Sequence, residues 1–274
     1  MRVVLTLAGL TMKQACRRRI YLAFLLVAAL FTAVLFLTRG RGGGGPGFAP
    51  PPAVQAQLVI WFGLAMIRFF SAVLGIGLAA GALSAEIDRG LFYVILSKPL
   101  RRWQVVAGKW VGLLGLTTLN VVLWGLIVAA AAYYKEPTYH WGLVKAGGLS
   151  LLYPVMFVTL TLLFSSFTSQ VLATVMTLIA LGIGWQEGLM TTLGQALKLP
   201  ILEQLGVLAG YLVPIGRLFN WIHQVAEVDD ISFLFQQFQN TPPPVAGDLI
   251  YVGGYIVGAL ALAMLIFSRR EISG

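Results

Sequence analysis

Six apolar runs, each close to the length that crosses a lipid bilayer, constrain this chain more than any other feature. About 30 Å of hydrocarbon, at about 1.5 Å of rise per residue, requires roughly 20 apolar residues in a helix. The runs are Ile20 to Leu37, about Leu58 to Ala85, about Gln104 to Ala132, Leu143 to Phe164, Val171 to Trp185 and about Leu249 to Phe267. Hydrophobic residues make up 58% of the 274 and charged residues only 11%. A soluble domain carries roughly twice that charged fraction. The sequence therefore predicts an all-α membrane protein, a single domain over 1–274 with six transmembrane helices.

The first run follows Arg17, Arg18 and Arg19, as a signal peptide would. The stretch before it is long, however, and the Gly/Pro-rich segment after it, Arg39 to Pro52, holds no small-x-small cleavage site. It reads as a retained helix. Orientation follows from the basic residues at the span ends. With the N-terminus in the cytoplasm, twelve Lys and Arg fall inside, from Arg2 to Arg270, and six fall outside, from Arg39 to Arg217; Arg68 is intramembrane. Both termini are then cytoplasmic and the chain is a multi-pass protein of the cell (inner) membrane. The net charge of +9 is a loop excess and not a nucleic-acid surface, since the basic residues sit between apolar runs. The single cysteine, Cys16, excludes an intramolecular disulfide, and no Cys/His cluster has metal-ligand spacing.

Before the first span, Arg2, Thr6, Lys13 and Arg17 share a narrow arc at 100° per residue. That pattern predicts an interfacial helix within 1–19, with its basic stripe toward water and anionic lipid. Between the fifth and sixth spans, 186–248 is an extracytoplasmic segment that is apolar only in part. Its best window, Leu205 to Ile215, is too short to span and contains Pro214, which predicts one or two re-entrant or interfacial helices. Pro242, Pro243 and Pro244 form a rigid spacer into the last span. Gly77 with Gly81, and Gly254 with Gly258, have the spacing that lets helices approach closely.

The loop between the second and third spans, 86–103, carries the most information. It opens with Glu86, breaks at Gly90, runs apolar from Leu91 to Leu96, stops at Ser97-Lys98-Pro99, and re-enters through Arg101 and Arg102 to Gly108-Lys109. An apolar helical turn on an exposed loop must be covered. A groove on a protein partner would cover it, and so would the lipid surface. The positions Glu86, Gly90, Leu96, Ser97, Pro99, Arg102, Gly108 and Lys109 resemble the signature of type-2 ATP-binding-cassette exporter permeases, closest to the group associated with copper-enzyme maturation. Leu91 stands where that family usually has Thr or Ser, which weakens the expected cap of the short helix. The stretch Tyr211 to Phe219 is also similar to the family's segment after the fifth span.

This resemblance implies a permease subunit whose coupling helix, with Glu86, Gly90, Leu91, Leu96, Ser97, Pro99 and Arg102 as its contact residues, seats on a separate ATPase subunit. Two ATPase copies and a second permease, identical or homologous, complete such an assembly. ATP and Mg belong to the ATPase, because no Gly-x-x-x-x-Gly-Lys-Ser/Thr loop occurs here. This chain itself is expected to bind no cofactor or metal and to catalyse no reaction. Intramembrane proteolysis lacks its residues: there is no His-Glu-x-x-His, and the only histidines are His140 and His223. The rival class is an ATP-driven anchor or assembly factor that acts on an extracytoplasmic partner without moving a solute.

Arg68 lies 18 residues before Glu86, about 27 Å along an uninterrupted helix, which places it near the outer boundary. It would then snorkel to the headgroups, or face a substrate, a lipid or Glu187 at the mouth of a pathway. Intramembrane polar residues are few, among them Thr117, Thr118, Asn120, Thr159, Thr161, Thr174 and Thr177. A pathway therefore needs two facing units. The resemblance places its lining on spans two and five, with Thr174 and Thr177 as candidate contacts.

Overall fold

Ten α-helices make up the described residues in a computed structural model of the chain, and no strand occurs among those residues. The structure describes residues 2–17, 19–37, 51–84, 101–138, 141–226 and 246–269. In chain order the helices are α1 (Arg2–Cys16), α2 (Arg19–Leu37), α3 (Pro52–Ala79), α4 (Arg102–Lys135), α5 (Trp141–Ser150), α6 (Leu152–Ser165), α7 (Gln170–Ala196), α8 (Pro200–Leu212), α9 (Ile215–Val225) and α10 (Ala246–Arg269). Among the described residues, four helices are long and apolar enough to cross a membrane: α3, α4, α5 with α6 as one unit (Trp141–Ser165), and α10. The other two expected spans fall on α2, which is 19 residues long, and on the apolar Gln170–Trp185 part of α7.

Several boundaries differ from those the hydropathy gives. Helix α3 starts at Pro52, six residues before Leu58, because proline at the first helical position sacrifices no hydrogen bond. It ends at Ala79, and a tight turn, Ala82 N–H to Ala79 C=O at 2.9 Å, carries the chain to Ser84. The fourth span is broken at Leu151. Pro154 has no N–H to offer Ser150, and its ring crowds that carbonyl, so α5 and α6 meet at a kink. Helix α7 continues eleven residues past Trp185, to Ala196. Hydropathy falls there, but no proline or turn signal stops the helix before Pro200. The first part of 186–248 is therefore an extension of α7.

Below, the lower end of the bundle is the one at Ser84, Arg102, Ser165, Gln170 and Arg269; the upper end is at Pro52, Lys135, Trp141 and Ala246. Helices α3, α4 and α6 pack on one another in the centre, α10 lies on α6 and α4, α2 on α3 and α4, and α7 on α6. Burial divides into two apolar clusters. The upper one contains Leu64, Ile67, Trp124, Val128, Phe157, Leu218 and Ile222; the lower one contains Leu74, Leu78, Val105, Leu113, Leu162 and Phe267. In the upper half α8 runs back along α7, so closely that a Cβ on Gly194 would sit 2.5 Å from the Glu203 backbone nitrogen. Lys198, at φ 53°, makes the turn between them. At 13 and 11 residues, neither α8 nor α9 is long enough to span.

The glycines that allow close packing are not the expected pair on α10. Gly254 and Gly258 have no atom within 4 Å of an added Cβ, whereas Gly63 lies under Val128, and Gly108 and Gly112 lie under α1. Helix α1 rests on the start of α4, where a Cβ on Gly112 would meet the Ala8 carbonyl oxygen at 2.5 Å. Ala8 and Ala15 are buried, while Thr6, Lys13 and Arg17 are exposed along with Leu5 and Leu10. The triple proline lies outside the described residues.

Candidate coupling site

The two chain ends that flank residues 85–100 are held by a set of hydrogen bonds at the lower end of the bundle. Helix α3 stops with its last carbonyls pointing downward, and such orphan acceptors need donors when buried. Ser165, the last residue of α6, donates its hydroxyl to the Ala80 carbonyl at 2.9 Å. The Ser84 hydroxyl donates to the same carbonyl at 3.2 Å, and the Ser84 N–H donates to Ser165 Oγ at 3.2 Å. Lys109, two turns into α4, donates its ammonium to the Ala82 carbonyl. Its side chain is only 4% exposed. A cation at the C-terminal end of a helix meets the negative end of the helix dipole, so the position suits its charge. Gln170, the first residue of α7, closes the fourth side and lies 2.9 Å from where a Gly81 Cβ would sit.

The returning end is fixed as well. Gln104 folds back to accept from the Arg101 N–H at 3.2 Å, which caps α4. Arg102 reaches across to the Ser268 carbonyl at the end of α10, at 3.5 Å. Helices α3, α4, α6, α7 and α10 thus converge where the loop leaves and returns. Glu86, Gly90, Leu91, Leu96, Ser97 and Pro99 lie outside the described residues. Of the motif, the structure places Arg102, Gly108 and Lys109: Arg102 ties α4 to α10, Gly108 seats α1 and Lys109 holds the end of α3. Sequence reading missed Ser84, Ser165 and Gln170. The polar run Ser165 to Gln170 signals a span boundary, but nothing in it names the carbonyls it serves.

A second polar feature lies deep in the bundle. Arg68 is eleven residues above Ala79, about 17 Å along α3, because the helix ends well short of Glu86. It therefore sits at mid-height and not at the outer boundary. Its side chain is 1% exposed, so it does not snorkel to headgroups. The guanidinium carbon lies over the Tyr153 ring, 5.8 Å from its centroid. Tyr153 in turn donates its hydroxyl to the Ile215 carbonyl at 3.2 Å. The Glu187 side chain, the other partner considered for Arg68, lies outside the described residues.

The remaining polar side chains mostly satisfy themselves on their own helices. Thr117, Thr161 and Thr177 are buried and donate to the carbonyls of Leu113, Phe157 and Ala173. Thr174 is half-buried on α7 and donates to Gln170 O at 2.8 Å. Thr159 also accepts from the Trp110 indole at 2.8 Å, which links α6 to α4. These groups do not form a polar channel through one protomer. Thr174 is half-buried and Thr177 fully buried.

Among the described residues, no group of three or more His, Cys, Asp or Glu could hold a metal ion. No curated protein matches the chain. Residues 5–272 match the family described as ABC-2 family transporter protein. That match runs through every described helix, from α1 to α10, and its subject is the membrane component of ATP-binding-cassette transporters. The chain belongs to the ABC-2 family of transporter proteins.

Proposed function

We propose that this chain is the transmembrane subunit of an ATP-binding-cassette exporter, coupled to ATP hydrolysis by a separate ATPase subunit. The observation that carries the reading is the convergence of five helices on the two ends of residues 85–100. A loop anchored this way transmits force as a lever and does not absorb it as a tether. In this reading Glu86 to Arg102 forms the coupling segment, with Gly90, Leu91, Leu96, Ser97 and Pro99 on the ATPase. ATP and Mg bind to that partner. Helix α2 and the lower part of α7 complete six spans, with both termini and the lower end in the cytoplasm and the upper end outside the cell (inner) membrane. Helix α1 lies in the inner headgroup layer, with the exposed Lys13 and Arg17 toward the phosphates.

Two copies, or this chain and a homologue, face each other beside α2, α3 and α7 and seat two ATPases. Helix α7 offers the surface for this, since Val171, Val175, Ile179 and Trp185 are exposed along one side, with the half-buried Thr174 beside them. In this reading the chain groups with the permeases of copper-enzyme maturation. A second reading, an ATP-driven anchor acting on an extracytoplasmic partner, draws support from the helical mass at the upper end, formed by α8 and α9.

Purification of the intact complex, followed by subunit mass spectrometry, tests the first point. Two permeases with two ATPases are expected, and Leu91→Asp with Leu96→Asp should remove the ATPase. Retention of the ATPase by that double variant, with ATP hydrolysis still stimulated by the permease, would overturn the coupling assignment. Solute movement in proteoliposomes supports the exporter; ATP-dependent binding of an extracytoplasmic protein with no solute movement supports the anchor.

A further inference from the structure

The chain of contacts from Arg68 through Tyr153 to Ile215 ends on a piece of backbone that is unusual inside a membrane bundle. Helix α8 ends at Leu212, Val213 is extended, Pro214 has no N–H, and α9 begins at Ile215. Non-helical backbone is tolerated at membrane depth only where protein encloses it. Here it is enclosed: Val213, Pro214 and Ile215 are buried, and Ile215 sits against Gly184 of α7. From that turn α9 climbs with Leu218 and Ile222 fully buried, until the Val225 carbonyl meets Gly142 of α5. The turn is thus the lowest point of a re-entrant pair formed by α8 and α9. It is held from below by the Tyr153 hydroxyl on the Ile215 carbonyl.

Tyr153 is on α6, just past the kink in the fourth span, and Arg68 is on α3, whose lower end leads into residues 85–100. A charged side chain at mid-bilayer is costly and marks function unless packing alone explains it. Here the cation lies over the ring of one tyrosine, and that tyrosine donates to the Ile215 carbonyl. We propose that Arg68 and Tyr153 are positioning residues that hold the α8–α9 turn closed, and that displacement of α3 releases it. The turn is then the moving part of an outer gate, driven from the opposite end of the bundle. The nucleotide-driven step rests on the permease reading above; the closed latch does not.

Hydrogen–deuterium exchange of the protein in nanodiscs tests both parts, with peptides over 209–218 as the probe and peptides over 105–113 as the internal reference. Tyr153→Phe keeps the ring and removes the hydroxyl. It should raise exchange at 209–218 by about fivefold, the effect of one hydrogen bond of ordinary net strength, and leave 105–113 unchanged. Arg68→Met should act in the same direction. If Arg68→Met fails to fold, Tyr153→Phe alone decides. Wild-type exchange rates at 209–218 in folded Tyr153→Phe would overturn the latch, whatever the fate of the permease reading. In the complex with its ATPase, ATP and vanadate should speed exchange at 209–218 in wild type and add little in Tyr153→Phe. An ATPase that hydrolyses normally while 209–218 stays protected would overturn the release step and leave the permease assignment standing.

Discussion

The lower and upper halves of the bundle bury similar apolar clusters, but they hold their polar backbone in opposite ways. At the lower end, the carbonyls of Ala80 and Ala82 receive donors from Ser84, Ser165 and Lys109, supplied by three different segments. In the upper half, the carbonyl of Ile215 is tied to the spans by Tyr153, backed by Arg68, and the carbonyl of Tyr211 is tied to α10 by Tyr251. Several short bonds on one helix end make a rigid joint, because all must break together for the end to move. Single bonds on separate carbonyls, as on Ile215 and Tyr211, make a joint that can open one bond at a time. On the proposed permease reading, the difference teaches where stiffness is placed: where force would enter, and not where the path would open.

The sharpest way to break this comparison is Lys109→Met, which leaves the buried Ala82 carbonyl without its ammonium donor. It should cost about 3 kcal/mol, the upper range for a charge-assisted bond, in unfolding free energy titrated in mixed micelles. A change below about 1 kcal/mol would mean that the lower joint is soft. Next is Gly112→Ala, whose added methyl meets the Ala8 backbone and not a movable side chain. It should cost about 2 kcal/mol and loosen α1, read as faster proteolysis near Lys13. Ser165→Ala removes one donor of several and should cost about 1 kcal/mol by the same titration. The upper half should respond differently. Arg68→Met replaces a buried cation with an apolar chain of similar length and should change stability by less than about 1 kcal/mol while abolishing nucleotide-dependent motion at 209–218. Smallest of all, Thr174→Val, at a half-buried position whose hydroxyl bonds only its own helix, should shift stability by under about 0.5 kcal/mol.

The all-helical class and the apolar runs were legible because a 20-residue hydrophobic stretch has few alternatives. The family was legible from Glu86 to Lys109, a polar motif between two such stretches. Helix ends were less so. Hydropathy marks where a helix meets water, while Pro52, Pro154 and Pro200 mark where it can start or bend, and the two disagree for α3, α6 and α7. Arg68 was misplaced for the same reason, since counting from Glu86 assumed helix through the turn at Ala80 to Ser84. Its partner Tyr153 lies 85 positions away in the chain, and no local pattern announces it. Ser165 was hidden because a serine at the end of a span looks like any other boundary residue.

The length of α7 has a further consequence. Its 27 residues rise about 40 Å, some 10 Å more than the hydrocarbon of an average bilayer. At its top, Leu193, Leu197, Leu199 and Ile201 are all exposed, around the turn into α8. Those side chains are poorly matched to a thin film, which would leave them among headgroups, and well matched to a thick one. Such a mismatch is relieved by tilting the helix or by stretching the lipid around it. Tilt of α7 carries Gly184 with it, and Gly184 is the residue on which Ile215 rests. Acyl-chain length thereby becomes an input to the protein, acting on the re-entrant turn from the lipid side.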